Sequence, residues 1–166
     1  DDDLLHRDIL LSASLPEAIT RQFVFLDPGT TPALMDRGSL PWWTSVNTSV
    51  SFWRPLAVFS LWIDYKLWPN SIILMHLHSV LWYGLLAAGA AVLYRRLMGA
   101  TWIAGLAALL YAIDDAHGLP VGWLANRNAV VATFFGVLAI MAHDAWRRHN
   151  KRWAIVGGPL LLGASV

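Results

Sequence analysis

Asp1, Asp2 and Asp3 put three carboxylates in succession at the start of the chain. At the edge of a bilayer, partial desolvation and mutual repulsion raise the pKa of at least one such group. A carboxylate so tuned is a general base that takes the proton of a hydroxyl as its oxygen attacks. Asp2 and Asp3 are therefore the catalytic candidates, with a solvated acidic run as the plainer reading. A second group, Asp114, Asp115 and His117, gathers two carboxylates and an imidazole within four residues, just before Gly118 and Pro120. It could bind a metal, relay a proton or hold the hydroxyls of a sugar acceptor, or simply cap and solvate a turn. Its spacing fits no diagnostic metal motif, so no cofactor is identified and a divalent metal stays open.

The cations complete the set. Arg127 sits inside an apolar stretch, where an arginine is costly unless it faces protein, snorkels to the interface or pairs. Its planar fork suits a lipid phosphate, and a structural pair with Asp114 or Asp115 is the alternative. Arg54, immediately before Pro55, is a second candidate for phosphate contact. His76 and His78 are two apart and so point to different helix faces. At most one of them would face a site, and a satisfied interior histidine is the simpler role.

These residues must be positioned by apolar segments. The hydropathy predicts spans over about 71–94, 97–113 and 119–142, with a fourth, 153–166, still running at Val166. The first comes to roughly 36 Å as a helix, enough to cross a hydrocarbon core of about 30 Å. A soluble helical core would show a polar stripe, and Leu85–Leu93 has none. Arg95 and Arg96 follow the first span, and Arg147, Arg148, Lys151 and Arg152 follow the third. Basic residues in short loops stay cytoplasmic, which puts the acidic ends and residues 1–70 outside. The expected class is all-α, a multi-pass transmembrane bundle with an extracytoplasmic loop and an interfacial helix. A start at Asp1 and an end within an apolar run suggest an excerpt with further spans.

Within 1–70, a weak helical period through Leu4, Leu5, Ile9, Leu10 and Leu11 predicts a short surface helix. Asp27–Pro32 and Asp36–Ser39 read as turns, which makes 27–41 a loop. Phe52, Trp53, Leu56, Phe59, Trp62, Ile63 and Leu67 recur at helical spacing and predict an amphipathic interfacial helix over 52–68. Asn47-Thr48-Ser49 matches a glycosylation acceptor on the outer side. The chain has no cysteine, which excludes disulfide and thiol chemistry, and its net charge of +1 gives no reason to propose nucleic acid.

Taken in order, these motifs resemble the amino-terminal part of C-type integral-membrane glycosyltransferases, the branch of protein O-mannosyltransferases and transmembrane tetratricopeptide-repeat proteins. The anchors are an acidic pair within Asp1–Asp3, Arg54-Pro55-Leu56, His76-Leu77 at the next span, and Leu109–Arg127. The family pattern there resembles Leu-Leu-Phe-Ala, His-Pro-x-His and, ten residues on, an Arg. Here His117 and Arg127 match, Asp114 and Asp115 replace the first His and the Pro, and Leu119 stands where a Glu is frequent. The resemblance implies a polyprenyl-phosphate sugar as donor, a protein or glycan hydroxyl as acceptor, and chemistry on the extracytoplasmic face of a bacterial inner membrane or the endoplasmic reticulum. It implies Asp2 or Asp3 as base and Arg54 or Arg127 at the departing lipid phosphate. A transporter or a non-catalytic membrane scaffold is the competing class.

Overall fold

The computed structural model describes residues 7, 9–149 and 152–164, so Asp2 and Asp3 lie outside the described residues. The described chain is 75% helical and 3% strand, an all-α protein. It divides into an amino-terminal cap and a set of longer apolar helices.

A helical turn at 9–12 leads into α1 (Leu15–Arg21), which carries Pro16 in its first turn, where its missing N–H is harmless. Val24–Leu26 (β1) and Val50–Ser51 (β2) form an antiparallel ribbon with Val24 opposite Ser51. The stretch between them, expected as loop throughout, contains α2 (Thr31–Asp36). Asp27 explains the start of that helix: its side chain accepts from Gly29 N at 3.0 Å, and its carbonyl accepts from Thr31 N at 2.9 Å. Gly38, at φ 71, then ends it in the left-handed region.

The helix expected over 52–68 is α3 (Pro55–Leu67). Arg54 stays outside the helical region, at φ −138 and ψ 62, as the crowding of a following proline ring favours. Its buried face is not the one that periodicity predicts. Ala57, Val58, Leu61 and Tyr65 are buried with Ser60 and Asp64, whereas Trp53, Phe59 and Leu67 are exposed. The apolar part of that buried face packs on Leu10, Ala13, Ala18 and Phe23 to form the core of the cap. Trp62 Nε1 donates to the Ala13 carbonyl at 3.3 Å, and Lys66 Nζ to that of Leu11 at 2.6 Å.

Helix α4 (Ile72–Met98) begins at Ser71, whose hydroxyl accepts from Leu74 N, and runs through Arg95 and Arg96 before Gly99, at φ 74, stops it. It is thus longer than the span expected to close at 94. Helix α5 (Trp102–Ile113) starts at the Thr101 cap rather than near 97. The region expected to open a span at 119 is broken instead. A 3₁₀ turn (Asp115–His117), α6 (Gly118–Gly122) and another 3₁₀ turn (Leu124–Asn126) precede α7 (Arg127–His149), and α8 (Trp153–Ala164) follows. Gly118, Pro120 and Gly122 account for the break, since neither residue type sustains a helix interior.

Two helical stretches, Ile72–Met98 and Leu124–Arg148, are long and apolar enough to cross a membrane. Helix α5, at 12 residues, rises only about 18 Å and falls short of a hydrocarbon core, and α8 is described over 12 residues. Helix α4 packs on α5 and α7, and α7 on α8. At Gly89 the two helices pack closely enough that an added Cβ would be in ordinary contact with Val137 Cγ1, at 3.5 Å.

Candidate functional site

Arg127, the first residue of α7, is 0% exposed and is the largest fully buried side chain described. The broken segment before it brings the chain back over α3 and α4, so its side chain enters between them. Its Nε donates to Ser79 Oγ at 2.9 Å, Nη1 to Ser60 Oγ at 3.1 Å and to Asp64 Oδ2, and Nη2 to the Met75 carbonyl at 2.7 Å. Four of the five N–H donors of a guanidinium are thereby directed inward. Arg127 pairs with Asp64, not with Asp114 or Asp115, and in this arrangement it presents nothing to a lipid phosphate.

Asp64 is also 0% exposed. Its second oxygen lies 2.5 Å from His78 Nδ1. An ionised carboxylate only accepts, so this contact is a hydrogen bond when His78 carries a proton on Nδ1. Trp82 Nε1 donates to Ser60 Oγ at 3.2 Å and closes the cluster on one side. Its members come at helical spacings, Ser60 with Asp64 on α3 and Met75 with Ser79 on α4. Of the two histidines, His78 is the one that turns inward. The sequence signal for Asp64 was a carboxylate set among Trp62, Ile63 and Tyr65. Asp64 marks the buried face of α3.

Arg54 stands apart from this cluster. Its guanidinium lies over the rings of Phe52 and Phe23, 4.6 and 5.1 Å from their centroids. With its amide turned to satisfy both ends, Asn128 accepts from Arg54 Nη1 at 3.1 Å and donates to the Ala125 carbonyl at 2.9 Å. Among the described residues no carboxylate pairs with Arg54. Partial burial lowers its pKa below the ordinary arginine value by desolvation, and so favours a partner anion. Arg54 lines a cleft of about 470 Å³ between β2, the start of α3 and α7. Phe52, Leu56, Val131 and Ala132 supply its apolar walls, and Asn128 a polar one.

The Asp114–His117 turn forms a third place. Asp114 is exposed and caps the 3₁₀ turn by accepting from Ala116 N at 3.0 Å. Asp115 is exposed, and His117 packs between Tyr111 and Tyr83, with ring centroids 4.6 and 5.1 Å away. None of the three lines the Arg54 cleft. Among the described residues no group of three or more His, Cys, Asp or Glu side chains is placed to hold a metal ion. The candidate residues read from the sequence thus fall into separate places rather than one. No family model, curated protein or solved structure matches this chain.

Proposed function

We propose that this chain belongs to a multi-pass membrane glycosyltransferase that moves a sugar from a polyprenyl-phosphate donor to a protein or glycan hydroxyl on the extracytoplasmic side. The observation that carries this reading is the Arg54 cleft: a guanidinium that pairs with no carboxylate among the described residues, beside a trough with apolar walls. A lipid phosphate has that complementary chemistry, an anion joined to an aliphatic chain. Stacking on Phe23 and Phe52 holds the guanidinium plane, which reduces the entropy lost when it grips phosphate oxygens. Membrane placement is supported by the exposed apolar side chains of α4 and α7, whose most apolar windows are only 17% and 28% buried. In water such a surface would be costly. Asp2 or Asp3 is the proposed base, and Asp114, Asp115 and His117 the proposed second-loop contact to the acceptor.

The test is sugar transfer by membranes containing the full-length protein, with Arg54→Ala and Arg54→Lys at equal expression. Losing a charge-assisted phosphate contact predicts a fall of about 10- to 100-fold for Arg54→Ala, with part of the rate kept by Arg54→Lys. Equal transfer by all three proteins removes Arg54 from donor binding. Asn in place of Asp1, Asp2 and Asp3 tests the base in the same assay.

The enclosed position of Arg127 favours a second reading for that residue. A charge pair with four inward donors holds α3, α4 and α7 in one arrangement, as a membrane scaffold or transporter needs. Uptake of solutes into vesicles without any sugar transfer would turn the assignment to that class.

A further inference from the structure

The packed pair of α7 and α8 carries two features that the proposed chemistry leaves unused. The first is a groove of about 490 Å³ along the helical hairpin, with walls from Ile140, Ile155, Pro159 and Leu162. Small residues open it: a Cβ added at Gly136 would meet nothing within 4 Å, and Ala139 and Gly158 also line it. The second is a run of cations at one end. His143 and Trp146 line the groove near that end. Arg147 follows His143 by four residues, so it lies one turn further along the same face of α7. Arg152 stands just before α8, and both arginines are exposed. Arg148 is partly neutralised by Asp144, with Nε 2.5 Å from Oδ1, whereas among the described residues no carboxylate pairs with Arg147 or Arg152.

We propose that this hairpin binds an anionic glycerophospholipid of the surrounding bilayer, with an acyl chain in the groove and the phosphate at Arg147 and Arg152. The lining of the groove is almost wholly apolar, and Arg147 and Arg152 follow in the chain just beyond its His143, Trp146 and Ala154 end, an arrangement that matches the charge pattern of such a lipid. A zwitterionic lipid offers the same chain with no net charge, and an apolar helix would leave the arginines unmatched. Trp146 at the mouth sits where indoles prefer to lie, at headgroup depth. Basic pockets between membrane helices select anionic headgroups by this means. The proposal rests on the membrane placement given above and not on sugar transfer.

The experiment is native mass spectrometry of the full-length protein released from mixed micelles holding equimolar phosphatidylglycerol and phosphatidylcholine, with carbonate extraction of the source membranes alongside. Wild type is expected to retain phosphatidylglycerol preferentially. Each of Arg147→Ala and Arg152→Ala should lower that preference by roughly fivefold, the weight of one cation near an anionic surface. Gly136→Phe, placed where the groove is open, should reduce retention of both lipids while the protein stays folded by circular dichroism. Equal retention of the two lipids by wild type overturns the proposal. So does a dimer without bound lipid that Gly136→Phe dissociates, since a second copy would then fill the groove. Release of the protein by carbonate would instead mark failure of the membrane placement itself.

Discussion

The cap and the long helices solve opposite burial problems. The cap builds a closed apolar core, with Leu10, Val58 and Leu61 buried together and Lys66 and Arg21 facing out, although Trp42 and Trp43 on its surface stay exposed. In the long helices much of the apolar surface faces out, with Ile73 80% and Leu85 52% exposed, while Ser79 and Arg127 are buried. Helix α3 belongs to both regions. Its Val58 and Leu61 join the core of the cap, and its Ser60 and Asp64 reach the arginine of α7. The difference teaches that one helix face can hold an apolar seam and a polar seam side by side, each matched to a different neighbour.

Breaking the polar seam should have the largest effect. Asp64→Ala leaves Arg127 buried without its counter-charge, and a loss of about 3–5 kcal/mol is expected, read as a lowered unfolding midpoint in detergent. Asp64→Leu with Arg127→Met should recover much of that loss, because two apolar groups avoid the desolvation of two ions. A double variant as unstable as Asp64→Ala would mean that the cluster's other hydrogen bonds dominate. Next comes Leu85→Arg on the outward face of α4. Facing lipid, it should cost about 3 kcal/mol of insertion, seen as a smaller membrane-inserted fraction. Facing water it would be silent, which would erase the contrast between the two regions.

Leu61→Ala probes the apolar seam and should cost about 2 kcal/mol, the lower end for a leucine-to-alanine change because the short amino-terminal elements can settle into the space. Thr101→Ala removes the hydroxyl that accepts from Ala104 N at 3.3 Å, and about 1 kcal/mol is expected at the start of α5, measurable as faster amide exchange there. Ile73→Ala, on a side chain that touches little protein, should move the midpoint by less than about 0.5 kcal/mol.

Some of this was legible in the residues. The apolar run from about Ser71 to Tyr94 and the basic pair after it marked α4, although its end extended past Arg96 to Met98. Pro55 marked the start of α3, and Gly118 with Pro120 marked a break. The α2 helix was missed because its turn residues outnumber its apolar ones, and its start depends on the carbonyl and carboxylate of Asp27. Arg54 and Arg127 looked alike on paper, each a cation near apolar residues. Only the fold separated them, by burying one against Asp64 and setting the other in a cleft.

The sequence by itself determined the all-α class, the approximate places of the apolar helices and the turn at Gly118 and Pro120, because these follow from side-chain periodicity and backbone preference within a few turns. Tertiary structure alone decided which face of α3 is buried, which histidine turns inward and which carboxylate meets Arg127. Ser60, Asp64, Ser79 and Arg127 come from three separate segments, and no local pattern records a partner 63 residues away. The cost of leaving a buried charge unpaired selects that arrangement, and it acts only once the helices have packed.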